Sequence, residues 1–446
     1  MKYPIFRRTT VAAATVLAAV LTVTACGPVR SSARPASSAT QPSSVASGDF
    51  GSAKGVCGPG TPKGSSARGV TPTSIQVGVL NDVTSQLQPG LGQEYLDTAK
   101  AFVGWCNAAG GINGRTIRFV SRDARMTEAP ARIFDACRSD FMLVGGATPL
   151  DDATVRPRLA CGLGSIPAYA ASAATATSQL LALANHGPSR EANVLLVRRL
   201  LERQPTALRQ VAYTALDAPS LLVTAGVLNR AINQAGVRSS LVRVPIAAAG
   251  LQSIVAPLVG RASAMVVAPG DPTALFRAMT DVGFQPDLLL DVLGTAYTPV
   301  VTDALRAVPA VTAPFYSQTY RFPLELADQN PATKLAVGLV GKVSSYRARD
   351  PEIVNSFAAW ILWAQSATAC GDDLTVQCVI DRATAQHSFD AGGLTAPVDV
   401  ADPLAVPPCS LIQRVSAAGF TYDRELTRPT QGVFNCDPGN VVSVVP

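Results

Sequence analysis

Stretches that read as buried strands alternate with stretches that read as amphipathic helices twice along this 446-residue chain, and the interruption between the two runs falls at His186-Gly187-Pro188. The first run opens with Ile75-Gln76-Val77-Gly78-Val79-Leu80, a segment of strand length rich in β-branched residues. Over 91–107, Leu91, Tyr95, Ala99, Phe102, Val103 and Cys106 follow at spacings that share one helical face. That helix has a stop signal: Gly110-Gly111 supplies a left-handed cap, Asn113-Gly114 makes a tight turn, and a strand is predicted over 116–120. A second helix is predicted over 129–139, a third strand over 141–144 leading into Gly145-Gly146, and a fourth near Ile166. The second run places strands over 209–216, 239–246, 264–268 and 288–293, with helices over 221–235 and 272–282. Such alternation needs crossover connections and therefore parallel sheets. Two runs predict an α/β architecture of two doubly wound lobes.

The N-terminus reads as an address rather than as part of that fold. Lys2, Arg7 and Arg8 precede an apolar run over 11–23, and Val23-Thr24-Ala25-Cys26 closes it. A cationic start, a short apolar stretch and small residues before a cut describe a secretory signal peptide over 1–25. A branched apolar residue, two small residues and Cys resemble a bacterial lipobox, in which the Cys thiol is lipidated and becomes the new N-terminus. The alternatives are an ordinary signal with an accidental Cys, or an uncleaved membrane helix. The apolar run is short for a span, and no stop-transfer pattern follows it. Residues 26–67 are Ser, Pro, Ala and Gly with few large apolar residues, a composition that does not offset its own ordering entropy. They are expected to form a tether, forty residues of which would reach roughly 35 Å, with Cys57 pinning the last dozen down. The mature protein is thus expected outside the cytoplasm, anchored to the bacterial cell membrane by Cys26.

About 420 residues remain after the signal, more than one core usually serves. The chain is 48% hydrophobic and 15% charged, as a packed globular protein is. Lys2, Arg7 and Arg8 leave with the signal, which takes the formal +6 of the whole chain to +3, and no basic cluster remains. Nucleic acid is not expected as a partner, by composition and by compartment. Of nine Cys, Cys26 is set aside for lipid, and an even set of eight in an oxidising compartment reads as disulfides. Local spacing favours Cys370 with Cys378 and Cys409 with Cys436. Cys106 and Cys137 end two successive predicted helices and are expected to staple them, leaving Cys57 for Cys161. No C-x-x-C spacing occurs and only His186 and His387 are present, so no metal is expected.

The segment from Gly69 through Val70-Thr71-Pro72-Thr73-Ser74 into the first strand, the acid at Asp82, and then Cys106-Asn107-Ala108-Ala109-Gly110-Gly111-Ile112-Asn113-Gly114-Arg115 resemble the start of a solute-binding protein of the leucine/isoleucine/valine-binding type. Cys370-Gly371-Asp372-Asp373-Leu374 through Cys378, and Gly393-Leu394-Thr395-Ala396-Pro397, extend the likeness, which spans about residues 68–436. The resemblance implies the type I periplasmic binding protein fold: two Rossmann-like lobes with parallel sheets, joined by a three-strand hinge that closes on a solute. Carried onto this chain, it implies a first lobe of 68–188 plus 314–398 and a second of 189–313 plus 399–446. It also implies an ABC importer in the membrane as partner, no cofactor, and work as a monomer.

Ligands of open parallel sheets sit at the carboxyl ends of the strands. Those ends select Thr148 and Asp151 after the third strand, Tyr169 and Ser172 after the fourth, and Asp217, Asp271, Thr295 and Tyr297 from the second lobe. Backbone N–H groups at Gly146-Ala147 could receive a carboxylate. Asp151, Asp217 and Asp271 also precede helices, where capping alone would account for them. Relatives that bind amino acids hold the amine with an acid from the second lobe, but the loop after Leu293 is Gly294-Thr295-Ala296-Tyr297. Thr148 can stand in for the usual hydroxyl, whereas the amine has no evident anchor, so an aromatic acid, another small carboxylate or an amide is as well suited as an amino acid. Trp105, Trp360 and Trp363 fall on predicted helices and read as core, while Tyr213, Tyr297, Tyr316 and Tyr320 are candidate walls.

Enzymatic machinery is not evident. Only two His are present, and neither a G-x-S-x-G elbow nor an S-x-x-K motif occurs. Gly341-Lys342 is followed by Val rather than the Ser or Thr of a phosphate loop, and Gly162-Leu163-Gly164 lacks the third glycine of a dinucleotide site. The expectation is a lipid-anchored binding protein that delivers a small polar solute to an importer, with a sensor or scaffold of the same fold as the alternative.

Overall fold

The segment Ser74–Asn81 (β1) is buried along most of its length because it has a neighbour on each side and a helix layer on each face. In the computed structural model, which describes residues 47–64, 67–267 and 270–444, the first run continues as Gln93–Ala108 (α1), Thr116–Asp123 (β2), Ala129–Ser139 (α2), Met142–Val144 (β3), Asp152–Ala160 (α3), Gly164–Ile166 (β4) and Ala173–Ala176 (α4). The second comprises Glu191–Asn193 (β5), Leu195–Arg203 (α5), Val211–Leu216 (β6), Pro219–Gln234 (α6), Ser239–Val244 (β7), Leu251–Val255 (α7), Ala264–Val266 (β8), Pro272–Asp281 (α8), Leu288–Asp291 (β9), Pro299–Ala307 (α9) and Phe315–Thr319 (β10). Three helices, Pro331–Gly341 (α10), Glu352–Cys370 (α11) and Val376–Thr384 (α12), precede Leu411–Ser416 (β11), Gly419–Tyr422 (β12), Arg424–Thr427 (α13) and Val441–Ser443 (β13). The signal peptide, Cys26 and the tether up to residue 46 lie outside the described residues. No helix among the described residues is long and apolar enough to cross a membrane.

The first sheet has the order β2-β1-β3-β4, all parallel, and the second runs β12-β11-β10-β9-β8-β6-β7 with β11 antiparallel to both of its neighbours. Strand β10 lies in the second sheet, parallel to β9. The resemblance allots residues 315–319 to the first lobe; the chain leaves the second sheet only after Thr319, and α10 to α12 then build the first lobe's core. Three segments join the two sheets and bind one another: Phe322 N–H donates to Leu394 O and Ala396 N–H to Tyr320 O, both at 2.8 Å, and Gly187 N–H donates to Pro403 O. Helix α11 is buried on nearly every side, with Trp360 and Trp363 fully enclosed. Gly145, at the end of β3, sits against it with φ of 69°, and a Cβ there would come 2.2 Å from Trp360 Nε1. Gly145→Ala combines a left-handed backbone with an overpacked core and is expected to cost about 2–4 kcal/mol. Urea unfolding should show this as a lower midpoint at unchanged slope; an unshifted midpoint would contradict the packing described.

Two further expectations need correction. The segment assigned to the tether does not end at 67: Phe50 and Val56 are fully buried, Phe50 meets Trp105 and Phe357 at ring distances of 5.3 Å, and Lys63 N–H donates to Asp372. Residues 47–64 therefore belong to the first lobe. The disulfides are Cys57–Cys106, Cys137–Cys161, Cys370–Cys378 and Cys409–Cys436, so the two short-range pairs hold, while neither the Cys106–Cys137 staple nor the expected Cys57–Cys161 link forms. Successive helices of a doubly wound sheet pack on opposite faces. Met142 and Val144 join the core around α1, whereas Leu143 between them packs with Ile133 and Ala136 of α2. Cys106 thus faces the buried N-terminal segment, and Cys137 faces α3.

Candidate functional site

Where the two sheets face each other, the chain encloses a cavity of about 650 Å³. Its second-lobe wall is largely aliphatic, with Leu216 at the end of β6, Leu221, Ala225 and Leu228 on the inner side of α6, and Val266 and Val292 at the ends of β8 and β9, interspersed with Tyr213, Thr214, Thr224, Asp271 and Thr295. Its other wall, from the first lobe and the crossing segments, is polar and charged. Tyr95 and Tyr169 stand side by side with ring centroids 6.4 Å apart, and His186 meets Tyr320 edge-on at 5.5 Å. Burial holds the His186 imidazole below its ordinary pKa, against the carbonyl of Gly187, so it is neutral at pH 7.

Five ionisable side chains form a network on that wall. Arg321 is 4% exposed and pairs with Glu352 at 2.7 Å, while its Nε and Nη1 donate to Asn355 and to the Gly294 carbonyl. Burial disfavours the Arg321 charge, but the carboxylate of Glu352 outweighs it and the guanidinium is held charged. Arg347 lies 3.3 Å from Glu94 and 3.1 Å from Asp350. The Glu94 carboxyl is pushed up to about 8, first by burial, then by the charge of Asp350, with Arg347 opposing. Asp350 rises to about 6, again by burial first and then by Glu352. Glu94 therefore carries a proton at neutral pH in the folded chain and loses it on unfolding. A group whose folded pKa is raised favours folding at low pH, and that contribution fades as pH climbs from the ordinary carboxyl range through 8. Stability from this network should fall between pH 5 and 9 by on the order of a few kcal/mol, and Glu94→Gln should flatten the slope in denaturant unfolding. An identical pH slope in the variant would contradict the assignment.

Residues 74–133 match the family model described as periplasmic binding protein. No curated protein matches the chain. Its structure is similar to that of a fatty acid ABC transporter substrate-binding protein from Thermomonospora curvata, with 19% identity, a TM-score of 0.65, and coverage of 82% of this chain and 97% of that one. It is similar as well to an ABC transporter solute-binding protein from R. palustris in complex with 4-hydroxybenzoate, at 15% identity and a TM-score of 0.63, covering 77% and 93%. A third is a branched-chain amino acid transporter substrate-binding protein from Streptococcus pneumoniae in complex with isoleucine, at 14% identity and 0.60, covering 79% and 100%. The chain has the type I periplasmic binding protein fold. In that fold the cavity lies between the two lobes, outside the carboxyl ends of β6, β8, β9 and β10.

Within this type I binding fold, Tyr169, Asp271 and Thr295 reach the cavity wall, and the other residues selected from the sequence do not. Asp271 also caps α8, accepting from Ala274 N–H at 3.0 Å. Thr148 is fully buried beside Asp82, which in turn accepts from Met126 N–H. Asp151 accepts from Ala171 N–H at 2.7 Å and does not cap its helix; burial raises its carboxyl to about 6. Ser172 caps α4 through Thr175 N–H. Asp217 is exposed and lies 3.6 Å from Arg243. Tyr297 is buried against Phe420, accepts from Leu324 N–H and donates to Glu325, tying α9 to the segment after β10. Of the candidate tyrosine walls, Tyr213 and Tyr320 line the cavity.

Asp291 borders the cavity, yet both its oxygens are engaged, by the N–H groups of Leu293, Thr295 and Ala296 and by the Ser317 hydroxyl. It organises the β9 loop and is not free for an amine, which leaves Asp271, whose Oδ1 caps α8, and Glu191 as the other second-lobe acids on the cavity wall. The first lobe and the crossing segments add three more acids. Glu94, Asp350 and Glu352 escape a search of strand ends because they sit at helix N-termini, two of them some 200 residues beyond the strands of their own lobe. A sequence signal existed in Arg347, Asp350 and Glu352 ahead of an otherwise apolar helix.

Proposed function

We propose that this chain is a lipid-anchored, extracytoplasmic solute-binding protein that takes a small polar solute, an amino acid, an amide or a small carboxylate, into the interlobe cavity and delivers it to an ABC importer by hinge closure. The cavity carries the reading: it has one wall from each lobe, so a solute that touches both stabilises the closed arrangement over the open one, and a membrane partner can sense the difference. Tyr169, Asp271 and Thr295 are proposed ligand contacts, joined by Asn185, Tyr320 and Asn355. Lipidation of Cys26 and the tether would keep a monomeric body within reach of its permease. The named ligands of structurally similar proteins, isoleucine and 4-hydroxybenzoate, are of the size this cavity holds.

Native mass spectrometry of the full chain as purified tests the reading. A non-covalent mass increment that leaves on gentle activation is expected, and Ala225→Trp, which fills the cavity from α6, should abolish it. No increment, together with no thermal shift across amino acids, amides, aromatic acids and fatty acids, would overturn the solute-binding reading. Delivery is tested separately: loss of the chain from its host should stop uptake of the solute so identified, and unchanged uptake would remove the importer.

A further inference from the structure

We propose that the solute of this cavity is an amphiphile with an aliphatic body and a head that donates N–H hydrogen bonds and carries no negative charge, an amine or an amide rather than a carboxylate. The inference rests on the solute-binding reading and narrows it. Among the described residues that border the cavity, the acidic and basic side chains are six carboxyl groups, Glu94, Glu191, Asp271, Asp291, Asp350 and Glu352, and two guanidiniums, Arg321 and Arg347. Both guanidiniums are already paired, with Glu352 at 2.7 Å, and with Asp350 and Glu94 at 3.1 and 3.3 Å. A carboxylate entering here would meet surplus acid and no free cation, at the cost of its own desolvation.

A second, independent observation points the same way. Asn185 is 3% exposed and borders the cavity, and its Nδ2 donates to the Ala168 carbonyl at 2.6 Å, which fixes the amide orientation. Its Oδ1 has no partner. A buried acceptor left open is satisfied by a ligand that brings a donor. The opposite wall is mainly aliphatic, with Leu216, Leu221, Leu228, Val266 and Val292 outnumbering the hydroxyls of Thr224 and Thr295 and the carboxyl of Asp271, so the body of the solute that lies against it is aliphatic. A cationic head would also return Glu94 to its ionised form, since burial is the cause of its proton and a neighbouring cation opposes it.

Calorimetry on the full chain, stripped of co-purified solute by dialysis, decides the matter with octylamine, octanamide, octanoate and butylamine as probes. Octylamine or octanamide should bind at least tenfold more tightly than octanoate, and octylamine at least tenfold more tightly than butylamine, because four methylenes leave water. Asn185→Leu should lower the affinity for octanamide about tenfold while keeping the gain from the longer chain. Octanoate binding as tightly as octanamide would overturn the head assignment and leave the solute-binding reading standing. Equal affinity for butylamine and octylamine would overturn the aliphatic body. Binding by none of the four overturns the inference, and the mass increment of the purified chain then shows whether the broader reading survives. The wild-type ranking stands as the test even if Asn185→Leu fails to fold.

Discussion

Glu352→Ala is expected to destabilise the first lobe by about 3–5 kcal/mol, because it leaves the Arg321 guanidinium, 4% exposed, without its carboxylate. Asn355 and the Gly294 carbonyl remain as acceptors but carry no charge. Arg321 also reaches from the crossing segment to the β9 loop, so the lost pairing should loosen the arrangement of the cavity walls as well as the fold. Removing both partners as Arg321→Met/Glu352→Leu should cost less than the sum of the single changes, since no orphaned charge stays buried. Denaturant unfolding of the four proteins of this cycle measures the coupling. Strict additivity would show that the pair acts as two unrelated groups.

The second large effect concerns the N-terminal segment. Replacing Cys57 and Cys106 by Ser opens a disulfide that spans 49 residues, and the loop-closure argument gives a loss of about 4 kcal/mol. The loss should be local at first: residues 47–64 detach, uncovering the pocket of Trp105 and Phe357 that Phe50 fills. Limited proteolysis should therefore cut the variant within 47–64 before the rest of the body, and the wild type should resist there. A variant as stable and as resistant as the wild type would mean that the segment is a tether after all.

That segment shows what the sequence could and could not reveal. Alternation of strand and helix was legible because each element carries its own period, and the observed β1, α1, β2, α2 and β3 begin within two residues of where Ile75, Leu91, Thr116, Ala129 and Phe141 suggested. Residues 47–64 misled because their composition is that of a linker, and one Phe and one Val in the right sockets outweigh it. The disulfide between Cys57 and Cys106 follows from that placement and from the face of the sheet on which α1 lies, neither of which is written in the spacing of cysteines. At the site, strand ends were legible and side-chain commitments were not. Asp151, Ser172 and Tyr297 sit close to the expected loops but spend their polar atoms on neighbouring backbone and side chains. Glu94, Arg321, Asp350 and Glu352 come from a helix start, a crossing segment and the beginning of α11, and only the folded chain brings them to one wall.

Closure of the two lobes on a solute held between them is read by small-angle scattering of the full chain, with and without saturating amounts of the compound that gives the largest thermal shift. The radius of gyration should fall when the compound binds, and should not change for Ala225→Trp under the same conditions. A wild-type profile that is unchanged at saturation would contradict hinge closure.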